Sequence, residues 1–175
     1  MFALMTAVAL ALTPAASART PGNPAGNQRF AHVRTADAYV LSLLHQGYLR
    51  SSTFRHLVDD IERSDLIVYV ETTADATMPV NAQIQLAGAT PATRFLRIIF
   101  KIPTGDETAI SLVGHELRHA TEVARATEVR DQPAFEALYR RIGSEGGVGW
   151  ETQQARSTGE TIREELRASR GFSQN

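Results

Sequence analysis

Hydrophobic side chains recur along the first half of the chain at the spacing of helices. Between residues 35 and 62 they stand three or four positions apart, which places them on one face of a helix. Thr35 can cap a first helix that runs to about Arg50, and Ser51 or Ser52 can cap a second one. The pattern therefore predicts two consecutive amphipathic helices ahead of any strand.

The next segments have the spacing of β-strands. Residues 66–70 read L-I-V-Y-V and are apolar on both faces, which favours a strand in the interior of a sheet. Residues 81–87 and 94–102 alternate apolar with polar side chains, and Ile102 is the last apolar position of the second segment. Because short breaks containing Gly or Pro separate the segments, we expect tight connections and a small, mostly antiparallel sheet.

Helical spacing returns after the third strand and continues towards the C-terminus. Thr104 and Glu107 have the T-x-x-E spacing of a capping box and are expected to begin a helix that ends near Ala126. Two more helices fit residues 133–142 and 150–168, and a glycine suited to a helix end follows the first of them. This order of elements predicts an α+β fold in which the sheet packs against the helices.

The N-terminal segment has a different composition from the rest of the chain. Residues 2–12 are almost entirely apolar but too few to span a bilayer, and the first charged residue is Arg19. Residues 16–18 read A-S-A, a pattern after which signal peptidases cut. A buried N-terminal helix of the domain is the alternative. We expect a signal peptide over residues 1–18 that is cleaved after Ala18, a flexible leader over 19–29, and one exported domain over 30–175.

Composition excludes several classes of protein. The 175 residues include 18 Lys or Arg and 19 Asp or Glu, so the formal net charge of −1 argues against a dedicated nucleic-acid surface. The chain has no cysteine, which excludes disulfides, thiolate metal ligands and a cysteine nucleophile. Any metal site must therefore be built from histidines and carboxylates.

One pentapeptide has the spacing of a metal site. Residues 115–119 read His-Glu-Leu-Arg-His and fall within the helix predicted after Thr104. Two histidines at positions i and i+4 project from the same helix face, so both imidazoles can reach one metal ion. Glu116 lies about 100° around the helix from His115, where it can accept a proton beside the ion. The spacing predicts His115 and His119 as metal ligands and Glu116 as the general base.

An H-E-x-x-H helix beside a small sheet resembles the zincin metallopeptidases. The resemblance is local: it covers residues 115–119 and the strand-before-helix arrangement from about Arg94 onward. It implies one zinc ion per chain and hydrolysis of a peptide or amide bond through a metal-activated water. It also implies a substrate chain along an edge strand, for which residues 81–87 and 93–102 are both candidates.

Two histidines leave a catalytic zinc site one protein ligand short. The metzincin continuation, with a turning glycine and a third histidine, is absent from this sequence. In gluzincins the third ligand is a glutamate on a later helix, which makes Glu151, at the start of the last predicted helix, the expected ligand. Glu145, Glu160 and Glu122 are the alternatives.

Two further features of the family are incomplete in this chain. Gluzincins often carry an acidic residue three or four positions after the ligand glutamate, where this chain has Gln154 and Ala155. Support for a ligand histidine must then come from a glutamine or from elsewhere. An oxyanion partner is also expected; Tyr139 is the nearest candidate, although core packing against Phe135 and Ile142 is the favoured interpretation.

A charged residue inside the pentapeptide departs from the zincin pattern, in which the two middle positions are usually uncharged. Arg118 lies about 60° from His115 around the helix, close enough to affect the site. It can hold a substrate carboxylate or pair with Glu122 four residues on, and pairing is the favoured interpretation.

The sequence predicts an exported, gluzincin-like zinc hydrolase that acts on a peptide or protein substrate. It predicts no nucleic-acid partner and no stable membrane span. One alternative is a non-catalytic exported domain that binds another protein, with the metal structural or absent. Another is a cytoplasmic H-E-x-x-H regulator that cleaves a repressor, if residues 1–18 are not a signal.

Overall fold

Helices and one sheet account for most of the residues that the computed structural model describes, which are 30–145 and 150–171. The helices are α1 (Ala38–Arg50), α2 (Ser52–Glu62), α3 (Asp106–Arg125), α4 (Gln132–Ile142) and α5 (Gln153–Gly171). The strands are β1 (Val33–Arg34), β2 (Leu66–Thr73), β3 (Ala82–Ala89), β4 (Arg94–Lys101), β5 (Ser144–Glu145) and β6 (Trp150–Glu151). The fold is α+β, as the sequence predicts. The predicted signal peptide, its cleavage position and the leader lie outside the described residues.

Side-chain caps determine where the first two helices begin. Asp37 rather than Thr35 caps α1, because its carboxylate accepts hydrogen bonds from the first backbone amides of the helix. Thr35 lies two residues before Asp37, and its hydroxyl accepts a hydrogen bond from the amide of Asp37 at 3.1 Å. Ser51 caps α2, as one of the two predicted alternatives.

The sheet is mixed, so the prediction of a mostly antiparallel sheet is wrong. Its strand order is β1-β2-β4-β3; β1, β2 and β4 are parallel to one another, and β3 runs antiparallel to β4. The chain leaves β2, forms β3 at the outer edge and returns as β4 between the two. This order places the two most apolar strands side by side and leaves β3, whose alternate residues are polar, at the edge. Turn residues indicate that the chain reverses, but they do not indicate where the third strand inserts.

One face of the sheet packs against the helices and forms the core. The central strands contribute a row of fully buried side chains to this face: Leu66, Val68, Val70, Leu96, Ile98 and Phe100. Ile102, predicted to continue the row, is 59% exposed because β4 ends at Lys101. The alternation seen in the sequence is therefore confirmed up to the end of the strand.

The helix that carries the histidine pair is α3, and its first turn lacks the predicted capping box. Gly105 occupies the cap position with φ 94°, a conformation that favours glycine, and no side chain caps the helix there. Glu107 is drawn away from the helix end because it forms ion pairs with Arg50 of α1 and Arg170 of α5. Long-range pairing has replaced the local cap.

The other end of α3 is held by a buried arginine. Arg94 is fully buried and donates hydrogen bonds to the carbonyl oxygens of Val123 at 2.7 Å and Ala126 at 2.8 Å. Each of these carbonyls also accepts one backbone amide, Val123 from Ala126 and Ala126 from Val129, so the guanidinium adds a second donor at the helix end. The same side chain forms an ion pair with Asp65 at 2.6 Å. Arg94 thus attaches the end of α3 to the start of β4.

Helix α5 packs along α3 through small residues. A Cβ atom added at Gly114 would lie 2.2 Å from the Cδ1 atom of Ile162, so the close approach requires glycine at this position. The hydroxyl of Ser111 donates to the carbonyl oxygen of Gly159 at 2.7 Å. Close contact between the two helices brings the start of α5 next to the histidine pair.

The boundaries near the C-terminus differ from the predicted ones. Gly143 follows α4 as expected, but its φ of −97° and ψ of 173° are extended, so the chain continues directly into β5. Strand β6 pairs with β5 in an antiparallel hairpin, and α5 therefore begins at Gln153 rather than at residue 150. None of the helices described here combines the length and the apolar character that crossing a bilayer requires.

Candidate metal centre

Three predicted ligands converge at the wall of one cleft. His115 and His119 lie one turn apart on α3, and Glu151 faces them from β6. The Nε2 atom of His115 is 3.1 Å from one carboxylate oxygen of Glu151, and the Nε2 atom of His119 is 3.3 Å from the other. The cleft has a volume of about 520 Å³. The structure therefore brings together residues that the sequence separates by a helix and a hairpin.

The spacing and chemistry of these donors fit a zinc ion. Zinc–nitrogen and zinc–oxygen bonds of about 2.0–2.1 Å at tetrahedral angles separate neighbouring ligand atoms by about 3.3 Å. One ligand atom from each of the three residues lies within 4.8 Å of the other two, and each Nε2 atom is close to the tetrahedral separation from one of the two Glu151 oxygens. Two imidazoles and one carboxylate form a donor set that catalytic zinc sites use.

Glu116 lies beside the ligand atoms and lines the same cleft. Its residue is 5% exposed, and its carboxylate forms no hydrogen bond or ion pair with any described residue. Burial raises the pKa of Glu116 to about 7, with the neighbouring His119 opposing the rise. A carboxylate with this pKa can both accept and return a proton near neutral pH.

The electrostatics of the two histidines differ. Burial lowers the pKa of His115, and the nearby Glu151 carboxylate opposes part of that effect. Burial also acts to lower the pKa of His119, but hydrogen bonds with Glu122 and Glu151 outweigh it and raise the pKa to about 9. For Glu151, burial acts to raise the pKa, and the bond with His119 and the positive charge of the two imidazoles lower it overall. The two imidazoles thus favour the charged form of the Glu151 carboxylate.

The alternative ligands occupy other places. Glu122 lies beneath His119, with one carboxylate oxygen 2.9 Å from the Nδ1 atom of that residue. Its other oxygen accepts a hydrogen bond from the hydroxyl of Thr152 at 2.8 Å. Glu160 is exposed on α5, and the side chain of Glu145 lies outside what the structure describes. Among the described residues, the possible ligand group consists of His115, His119 and Glu151.

Tyr139 packs in the core, as the favoured interpretation held. Its residue is 4% exposed, and its ring contacts those of His119 and Phe135. Its hydroxyl donates to the backbone carbonyl of His119 at 3.1 Å, and burial raises its pKa. Ile142 does not share this packing, because it is 40% exposed. In this arrangement the Tyr139 hydroxyl supports the helix rather than facing a substrate.

Arg118 lies next to Glu122, so the predicted pairing is confirmed. The Nε atom of Arg118 is 3.6 Å from a carboxylate oxygen of Glu122, and this buried nitrogen has no hydrogen-bond partner among the described residues. The contact is electrostatic, since its length exceeds that of a hydrogen bond. The guanidinium therefore places positive charge on the side of Glu122 that faces away from His119.

Sequence reasoning missed two polar residues at the site. Thr152 has a signal in the sequence, because a hydroxyl directly after a ligand glutamate and ahead of a helix is typical of a helix cap. Glu122 is expected from the sequence as an alternative ligand or as the partner of Arg118, although its position three residues after His119 also places it beside that histidine on the helix face. Spacing on the helix indicates that Glu122 and His119 are neighbours, but not which nitrogen of the imidazole the carboxylate contacts.

Comparison with known proteins adds no relative to this description. The chain matches none of the protein-family models, curated proteins or solved structures with which it was compared.

Proposed function

We propose that this protein is a zinc-dependent hydrolase of peptide or amide bonds, related in chemistry to the zincins. The observation that carries the proposal is the convergence of His115, His119 and Glu151 beside the unpartnered carboxylate of Glu116 in one cleft. Zinc bound there would supply Lewis-acid chemistry, polarising a carbonyl group and making a water molecule more acidic. Two imidazoles and one glutamate would hold it.

Glu116 is the acid and base of this proposal. Its carboxylate accepts a proton from the attacking water as the water oxygen bonds to the carbonyl carbon. It then returns that proton to the nitrogen as the carbon–nitrogen bond breaks, which leaves a carboxylic acid and an amine. Its place beside the ligand atoms in the cleft suits both transfers, because the same carboxylate can reach the water and the leaving nitrogen.

The edge strand beside the cleft supports a peptide substrate. Within the described residues, β3 is bonded to β4 on one side, and its other edge is open. Ala82, Gln83 and Ile84 of this strand line the cleft, so an extended peptide pairing with β3 would pass the ligand atoms. Of the two strands considered from the sequence, β4 lies in the interior of the sheet, which favours β3.

Apolar residues in the walls of the cleft favour apolar substrate side chains. Phe135 and Trp150 line the cleft together with Ile84 and Val80 of the sheet side. Aromatic and aliphatic walls of this kind gain free energy by covering an apolar group. We propose that a hydrophobic residue flanks the bond that is cleaved.

The direct experiment combines metal content with hydrolysis. Elemental mass spectrometry of the purified protein should find about one zinc per chain, and a mixture of quenched fluorescent peptides should be hydrolysed unless a chelator is present. The variant E116Q should keep its zinc and lose about 10²–10⁴-fold in kcat, since general acid–base catalysis has that magnitude. E128Q, which changes an exposed glutamate that pairs with Arg141 and does not line the cleft, is the control.

Three outcomes would contradict the proposal. Protein that holds no zinc even after reconstitution has no metal centre. Zinc without hydrolysis of any peptide in the mixture supports the alternative of a binding domain with a structural metal. Equal activity in E116Q and the wild type removes the proposed role of Glu116.

Export is part of the proposal and rests on the sequence of residues 1–18. The intact mass of protein recovered from its natural compartment should correspond to a chain that begins at Arg19. A mass that includes residues 1–18 would favour the cytoplasmic alternative instead.

A further inference from the structure

We propose that Glu122 and Thr152 are the positioning residues of the metal centre, joining the helix that carries the histidines to the segment that carries Glu151. This inference rests on the proposed zinc site and concerns residues that do not contact the metal. Gluzincins often carry an acidic residue three or four positions after the ligand glutamate to orient a ligand histidine, and this chain has Gln154 and Ala155 there. In this proposal Glu122 and Thr152 take that orienting role.

Glu122 orients the imidazole of His119. Its residue is 9% exposed, and a carboxylate oxygen lies 2.9 Å from Nδ1 of the histidine. When a metal takes the place of the proton on Nε2, the imidazole keeps one proton, and its donation from Nδ1 to the carboxylate leaves the lone pair of Nε2 for the metal. That Nε2 atom is the one that faces Glu151 at 3.3 Å. The hydrogen bond therefore selects the tautomer that a metal requires.

Thr152 connects the same carboxylate to the third ligand. It is 1% exposed, and its hydroxyl donates to the second oxygen of Glu122 at 2.8 Å. The hydroxyl also accepts from the amide of Ala155 at 3.1 Å, which caps the start of α5. The amide of Thr152 donates to a carboxylate oxygen of Glu151 at 2.9 Å. One threonine thus fixes the beginning of the helix and the carboxylate in front of it.

Both oxygens of Glu122 are engaged, which explains why it is not a ligand itself. It lies seven residues after His115, about 10.5 Å along the helix axis, too far to share an ion with that residue. The guanidinium of Arg118 lies 3.6 Å from the carboxylate and adds a third contact to it. A charged carboxylate accepts from an imidazole more strongly than a neutral group does, which makes the histidine a better donor to a metal.

The test measures metal affinity rather than activity alone. Zn²⁺ affinity of the purified protein is determined by competition with a chromophoric chelator for the wild type, E122Q and T152V. Both variants are close in shape to the native side chains, and each should bind Zn²⁺ about 10–100-fold more weakly, the range found for residues that orient metal ligands. T152S keeps the hydroxyl and should bind as the wild type does, and E128Q is the matched control for loss of a carboxylate.

A spectroscopic readout separates positioning from general stability. With Co²⁺ in place of Zn²⁺ at saturation, E122Q should shift the visible absorption bands because the ligand field at the ion changes, whereas E128Q should not. If E122Q fails to fold, T152V decides the question, since it removes one hydroxyl and leaves the carboxylate.

The outcomes distinguish this inference from the function on which it rests. Wild-type protein that binds neither Zn²⁺ nor Co²⁺ overturns both. Wild-type binding with unchanged affinity and unchanged cobalt spectra in E122Q and T152V overturns the positioning role and leaves the metal site standing.

Discussion

At the scale of single residues, two arginines on β4 show how position determines the contribution of the same side chain. Arg94 and Arg97 each form an ion pair with a carboxylate at 2.6 Å, with Asp65 and Glu71 respectively. The side chain of Arg94 is fully buried and also bonds to carbonyls at the end of α3, whereas that of Arg97 is 49% exposed. The hydrogen bond from Arg94 to Asp65 is the main reason that the pKa of the Asp65 carboxyl is lowered.

We predict that R94M destabilises the protein far more than R97M does. Loss of Arg94 removes the buried guanidinium that joins these carbonyls to the partly buried carboxylate of Asp65, which should lower the free energy of unfolding by about 3–5 kcal/mol. Loss of Arg97 removes an exposed pair and should cost about 0–1 kcal/mol. Urea denaturation of the two variants measures both values. Similar losses in the two would contradict the structural role of Arg94.

At the scale of elements, the contact between α3 and α5 determines where Glu151 lies. Gly114 and Ile162 meet at the centre of this contact, and Ile162 is fully buried, so its terminal methyl has little room to move. A side chain at position 114 therefore displaces Ile162, and α5 moves with it where that side chain cannot turn aside. Because Glu151 directly precedes α5, such a displacement also separates it from the histidines.

We predict that G114A lowers the free energy of unfolding by about 1–3 kcal/mol through overpacking. It should also weaken Zn²⁺ binding. The variant I162V removes the Cδ1 atom that the new Cβ would meet and leaves a 3.3 Å approach to the ring of Phe54, so G114A in that background should be much less destabilising, helped by the preference of about 1 kcal/mol that alanine has over glycine in helices. A double-mutant cycle by urea denaturation measures the coupling. Equal effects of G114A in both backgrounds would rule out the steric contact as the cause.

At the scale of the whole molecule, one carboxylate joins three helices. Glu107 of α3 pairs with Arg50 of α1 and Arg170 of α5, and its side chain is 14% exposed. Its hydrogen bond with Arg170, against the opposing effect of burial, contributes most to lowering its pKa to about 2. The two ion pairs connect α1 and α5 at the N-terminus of α3. Arg94 binds the opposite end of the same helix.

We predict that this connection loses its effect in acid. The pKa of Glu107 is lower in the folded state than in the unfolded chain, so its stabilisation is complete above pH of about 4.5 and is lost as the pH falls to about 2. The midpoint of thermal unfolding of E107Q should therefore lie below that of the wild type at pH 7, and the difference should vanish near pH 2. E164Q, an exposed carboxylate of α5 with no described ion pair, should show no such dependence.

The sequence predicted the parts of this molecule that depend on local spacing. The helices and the three long strands follow from periodicity, and the pentapeptide with Glu151 predicted the residues that converge. The insertion of β4, the hairpin before α5 and the loss of the capping box depend on contacts between distant segments. The burial of Arg94 does have a local signal. Arg94 lies two and four residues before Leu96 and Ile98, so alternation along the strand places it on the same, buried face of the sheet.

The hydrogen bond between Glu122 and Thr152 has a consequence for recognising evolutionary relatives. It joins positions 30 residues apart that a pentapeptide search never examines together. Read with the histidines, it defines a composite signature: H-E-x-x-H-x-x-E in one helix, and Glu-Thr immediately before a later one. A change at either half alone would leave a buried polar group without its partner, so selection should exchange the two as a pair. Such covariation would identify divergent members of this lineage even where overall sequence similarity has decayed.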